Sequence, residues 1–100
     1  MLRHVVAWTF KDSHEGLDKA AIIDRAAELL NRCETGVPSV RGWELGRATE
    51  GYEASHDLIL ISTFDDAAGL KAYIEHPVHQ DVVAFLSKVR DQRVVIDYEI

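Results

Sequence analysis

Two rhythms of apolar residues alternate along this chain and divide it into six elements. Arg3 to Phe10, "RHVVAWTF", is dense in β-branched and aromatic residues and predicts a strand. The polar run "KDSHEGLDK" breaks that pattern around Gly16. From about Leu17 to Cys33 apolar residues recur at helical spacing through Ala20, Ile23, Ala27 and Leu30, with Ala26 and Leu29 widening the stripe. Gly36 and Pro38 end that helix, and Gly36 is able to take a left-handed cap. Ser39 to Arg47 predicts a second strand, "ATEGYEAS" a loop, and His56 to Phe64 a third strand. Asp65 and Asp66 supply a cap for a helix that carries Leu70, Tyr73 and Ile74. That helix passes through a break at Pro77 to Val83, Phe85, Leu86 and Val89, and "RVVIDYEI" closes the chain as a fourth strand.

The order β-α-β-β-α-β predicts an α+β, ferredoxin-like fold: an antiparallel four-stranded sheet with both helices on one face, as one domain over residues 1–100. The opposite face should then be polar, and it is not. If His4, Val6, Trp8 and Phe10 point to the helices, Val5 and Ala7 point away; Leu58, Leu60 and Phe64 likewise leave Ile59 and Ile61 on the open side. Each large side chain left in water forgoes roughly 1.5–3 kcal/mol of burial. The expected cover is a second copy, sheet against sheet about a two-fold axis.

Composition removes several function classes. A net charge of −6, with eleven Lys and Arg scattered singly, excludes a nucleic-acid surface. No apolar run reaches the roughly 20 residues of a membrane span, and the charged, alternating "MLRHVVAWTF" reads as neither signal peptide nor anchor. Cys33 is the sole cysteine, which excludes an internal disulfide, fits a cytoplasmic location and suits a small buried hydrophobe. There is no G-x-S-x-G and no glycine-rich loop entering a helix, so serine-hydrolase and phosphate-loop chemistry have no support.

The strand "HVVAWTFK", the strand "DLILISTFDD", the segment "AYIEHPVHQDV" and the closing "VVIDYEI" together resemble the stress-responsive A/B barrel family, over nearly the whole chain. The resemblance implies a homodimeric α/β barrel formed by two packed sheets. Many members have no assigned activity; one, olivetolic acid cyclase, closes a linear polyketide by aldol condensation without metal or organic cofactor. Its tyrosine and histidine acid/base pair falls on Tyr73 and His79, His76 matches the first histidine of the same box, and His4 matches a pocket histidine of the first strand. Leu58, Leu30 and Trp8 depart from the cyclase, which argues against an alkyl-tailed polyketide as ligand.

The residues themselves sharpen this set. Pro77 removes a backbone donor and pushes His76 out of helical geometry, so the helix should restart at Pro77 with His76 as cap and His79 in the first turn. The positive end of a helix disfavours an imidazolium, which biases His79 toward the neutral state a general base needs. Tyr73 suits either an oxyanion donor or a core residue with its hydroxyl at the rim. The candidate catalytic residues are therefore His79, Tyr73 and His4, and the candidate substrate contacts are His56, Trp8 and His76, with His14 exposed in a loop. His76 and His79, with His4 or His56, offer a metal set only on paper, because the proline break leaves their mutual orientation open and no acidic residue has ligand spacing. No metal or cofactor is expected. The reading is a barrel protein binding a small carbonyl or aromatic compound, with cofactor-free acid/base chemistry. Its alternatives are a non-catalytic stress or structural protein, in which Trp8 and Leu30 fill the interior, and a cofactor-free oxygenase.

Overall fold

A computed structural model describes residues 1–100. The main sheet contains β1 (Leu2–Phe10), β4 (Gly42–Arg47), β5 (Leu58–Phe64) and β6 (Arg90–Glu99). Its order is β4-β5-β1-β6, antiparallel throughout. Between the strands lie α1 (Lys19–Gly36), α2 (Ala67–Glu75) and α3 (Pro77–Val89), with a two-residue-stranded hairpin, β2 (Ser13–His14) and β3 (Leu17–Asp18), ahead of α1. This is the ferredoxin-like arrangement expected from the alternation of patterns.

The differences from the sequence expectations are local and have physical causes. The polar run after β1 is a hairpin whose turn uses Glu15 and Gly16, both at positive φ, the backbone that a two-residue hairpin turn demands. His14, expected to be exposed, is half-buried on it. The α1 stripe is rotated from the one predicted: Ile22, Ala26, Leu29, Leu30 and Cys33 are buried, while Ala20 is exposed. Helix α1 runs on to Gly36 and ends at Val37 in extended conformation, so no left-handed cap forms. In α3 Val82 rather than Val83 turns into the core. Strands β4 and β5 begin later than predicted, at Gly42 and Leu58, which leaves His56 in the preceding loop. Strand β6 starts directly from α3 at Arg90.

The caps are local sequence effects. Asp18 accepts from the Ala21 N–H at 2.8 Å, and Asp66 from the Gly69 N–H at 2.9 Å. His76 caps α3 through Nδ1, which accepts from the Val78 N–H at 3.1 Å. The helix layer and the inner sheet face close one core, in which Phe64, Leu60, Ile22 and Tyr73 are almost fully buried. On the outer face Ile59, Val94, Ile96 and Tyr98 stay exposed, Ile96 at 63%.

Replacing Phe64 by Ala should lower stability by about 3–5 kcal/mol, because the ring sits in close-packed surroundings that cannot collapse fully. Asp66→Ala should cost only about 1 kcal/mol, the worth of one helix cap. Urea unfolding curves of the two variants should therefore separate clearly, with the cap variant close to wild type.

Candidate functional site

Pro77 organises the local backbone from which the site is built. In an unbroken helix the Ile74 carbonyl would accept from the Val78 N–H, four residues on. Here His76 stands in extended conformation (φ −67°, ψ 138°), and the Val78 N–H turns to the His76 side chain instead. The freed Ile74 carbonyl accepts from His79 Nδ1 at 3.0 Å and from Gln80 Nε2 at 2.8 Å. Because a carbonyl can only accept, His79 carries its proton on Nδ1 and presents Nε2 as a lone pair. The break that ends α2 thus fixes the tautomer of the imidazole that opens α3.

Tyr73, in the last turn of α2, lies against that imidazole with ring centroids 4.4 Å apart. It is 1% exposed and is also packed on Phe64 at 5.1 Å and edge-on to Trp43 at 6.1 Å. His4, from β1, stands edge-on to it with ring centroids 6.2 Å apart. His4 Nδ1 is bonded to Asp97 Oδ1 across the β1–β6 pairing, where the two residues are register partners. A carboxylate likewise accepts, so His4 also directs Nε2 away from its anchor. Beneath His4, the buried Ser62 hydroxyl donates to the His4 carbonyl at 3.1 Å and fixes the strand.

These side chains line a cavity of about 450 Å³ between α3, the end of α2 and the inner faces of β1, β5 and β6. Its floor is apolar, with Val6, Trp8, Leu30, Leu60 and Leu86 among the lining residues. Trp8 and Leu30 lie along the wall and leave the space open. His4, Tyr73 and His79 converge on this one cavity. His76 does not; its ring is spent on the α3 cap. His56 does not either: its Nδ1 is engaged with Ser55 Oγ at 2.8 Å, outside the cavity. No three of the His, Cys, Asp and Glu side chains converge as a metal-ligating group.

Asp97 escaped the sequence reading, as did the Gln80 amide that shares the Ile74 carbonyl with His79. A signal for Asp97 was present. It lies on the same strand face as Arg93 and Val95, and an antiparallel last strand beside the first sets that face opposite His4 and Val6.

The electrostatics separate the ionisable groups. Burial, more than any other influence, holds His79 below the ordinary histidine value; His4 and Arg93 add to the depression, and the Ile74 hydrogen bond opposes it. The neutral bias foreseen for His79 is present, but desolvation is its main source rather than the helix terminus. Burial raises the Tyr73 phenol well above its usual range, with Cys33 adding to the effect, so Tyr73 is a proton donor and not a phenolate. The buried Cys33 thiol is itself pushed up to about 11 by desolvation.

A histidine depressed in the folded state favours folding above the ordinary value of about 6.5 and loses that contribution as pH falls through the folded value. The His79 imidazole, followed by NMR, should therefore titrate below the ordinary value. Unfolding free energy should decline below about pH 6.5, and His79→Gln should flatten that part of the profile.

Comparisons with known proteins agree with this architecture. An uncharacterized protein of Streptomyces coelicolor is 30% identical over 99 residues, which is 99% of each chain. Among solved structures, a dimeric ferredoxin-like protein of unknown function from Bacteroides fragilis superposes with a TM-score of 0.85 at 23% identity, covering 99% of this chain and 95% of that one. A hydroxynitrile lyase from Passiflora edulis superposes with a TM-score of 0.79 at 18% identity, covering 99% and 92%. The Dabb family, the stress responsive A/B barrel domain, matches residues 2–100, and the chain belongs to it.

Proposed function

We propose that this protein is a homodimer that binds a small hydrophobic carbonyl compound in the cavity and performs cofactor-free acid/base chemistry on it. The observation that carries the reading is the Tyr73–His79 contact, 4.4 Å between ring centroids, on the wall of a cavity of about 450 Å³. His79 Nε2 would take a proton from the carbon next to the carbonyl. The electron pair of that C–H bond becomes the carbon–carbon double bond, the carbonyl π pair moves onto the oxygen, and the Tyr73 hydroxyl hydrogen-bonds the resulting enolate. His4, anchored by Asp97, orients the oxygen end. Depressed protonation of His79 and elevated protonation of Tyr73 give each group the state its role requires. That a fold neighbour from Passiflora edulis is a hydroxynitrile lyase supports the view that this architecture can hold catalytic chemistry.

The dimer follows from the open sheet face. Ile59, Val94, Ile96 and Tyr98 are all more than 40% exposed on it, a patch that a second copy would bury. The Bacteroides fragilis neighbour is dimeric, which supports the same reading. The protein should sediment as a dimer at micromolar concentration, and Ile96→Asp should convert it to a folded monomer; a wild-type monomer would remove the sheet-to-sheet argument.

The chemistry is tested by deuterium uptake. A panel of small ketones such as benzylacetone, incubated with the protein in D₂O, should exchange the protons next to the carbonyl, as read by proton NMR. Tyr73→Phe and His79→Gln should each lower that rate by roughly 10²–10⁴, the usual worth of a positioned acid or base. Exchange that is no faster with wild type than with either variant would sink the acid/base reading.

A further inference from the structure

The chain is acidic, with a net charge of −6, yet its cavity is not. Seven arginines are present in the sequence. Arg25 and Arg32 share Glu28, Arg41 is bonded to Asp65, and Arg47 to Asp24. Arg3 lies over the Tyr98 ring and donates to its hydroxyl. That accounts for five. The two whose guanidinium groups meet neither a carboxylate nor a protein acceptor are Arg90 and Arg93, and both line the cavity. They sit three residues apart at the start of β6, with Arg93 paired in register to Trp8 on the cavity wall. The only carboxylate lining the cavity is Asp97, which is already engaged by His4.

Resting on the carbonyl-binding reading above, we propose that the ligand carries an anionic group, a carboxylate, that Arg90 and Arg93 hold at one side of the cavity while its apolar body lies against Trp8, Leu30 and Leu86. The guanidinium fork matches the two oxygens of a carboxylate, and in a partly desolvated cavity such charge-assisted bonds are the strong ones. Arg90 is half-buried and Arg93 exposed, and a pair of uncompensated cations on the rim of a cavity in an otherwise acidic molecule also concentrates anions at that one place. The Arg93 charge reaches the reacting end of the cavity, since it contributes to the low protonation of His79. An anion seated on it would relieve that influence and make His79 a stronger base when the site is filled. The substrate class is therefore a hydrophobic keto acid rather than a neutral ketone.

The test compares β-benzoylpropanoate with its methyl ester, which share the ring and ketone and differ in charge. Each is titrated into wild type and into an Arg90→Gln/Arg93→Gln double variant, with the Tyr73 and His79 resonances as readout, at about 20 mM and about 300 mM salt. The side chains of these arginines make no hydrogen bond or ion pair within the chain, and glutamine keeps the backbone bonds of both positions, so the double variant keeps its fold. Wild type should bind the acid roughly tenfold or more tightly than the ester at low salt, the factor of one good charge-assisted contact. That preference should shrink at high salt and disappear in the double variant, which still binds the ester. Equal affinity of wild type for acid and ester, or a preference the double variant retains, overturns the carboxylate assignment and leaves the carbonyl reading standing. If neither compound moves the Tyr73 or His79 resonances, the carbonyl reading falls and this assignment falls with it.

Discussion

A missing N–H at position 77 is the constraint from which the site follows. Without it the second helical stretch cannot continue. Tyr73, Ile74 and His79, which a straight helix would keep in separate roles, are brought into one arrangement. The Tyr73 carbonyl is taken by the His76 N–H at 3.1 Å, the first helical bond of α3 runs from Gln80 to His76, and Ile74 is left as an acceptor for side chains. A helix end leaves carbonyls without intrahelical partners, and here side chains take one up. His79 and Gln80 supply them, and in doing so His79 loses the freedom to choose its tautomer.

The cavity then holds two imidazoles with the same anchoring nitrogen but different anchors. A backbone carbonyl holds His79 and a carboxylate holds His4. A backbone carbonyl is neutral and does little to offset the cost of burying an imidazolium, so His79 stays biased to the neutral form. Both rings pack against the same buried phenol, at 6.2 Å for His4 and 4.4 Å for His79. In the proposed chemistry His79 takes the proton and His4 holds the orientation. Phe64 and Trp43 immobilise the Tyr73 ring, so its position needs no hydrogen bond from the protein.

The fold was legible because it depends on period and order: alternation in β1 and β5, helical recurrence in α1 and α3, and caps at Asp66 and Pro77. What was not legible depends on rotation and on pairing. The periodic pattern centres the α1 stripe on Ala20, Ile23, Ala27 and Leu30, widened by Ala26 and Leu29, since small and large apolar residues count alike in it. The packed helix buries Ala26, Leu29 and Leu30 of that stripe but turns to add Ile22 and Cys33 and to leave Ala20 exposed. His56 was placed on the parity of Leu58, but parity has meaning only inside a strand, and β5 starts two residues later. The local chemistry around Pro77 could be read because its partners are within a few residues. The His4–Asp97 pair spans 93 positions and becomes visible only when β1 and β6 are set side by side.

Strand β6 joins the two halves of the functional reading. Its residues alternate across the sheet, so Arg93, Val95 and Asp97 face the cavity while Val94, Ile96 and Tyr98 face the open side. It is an edge strand, and almost every residue in it is exposed in the single chain. An edge strand held by one neighbour is the part of a sheet most able to fray. Yet this strand carries the anchor of His4 and both of the unpaired arginines. In the proposed dimer the apolar side of β6 is packed against a second sheet, which would hold its polar side in register with β1. Assembly and site organisation are then one structural problem: covering Ile96 steadies Asp97, and through it the ring of His4.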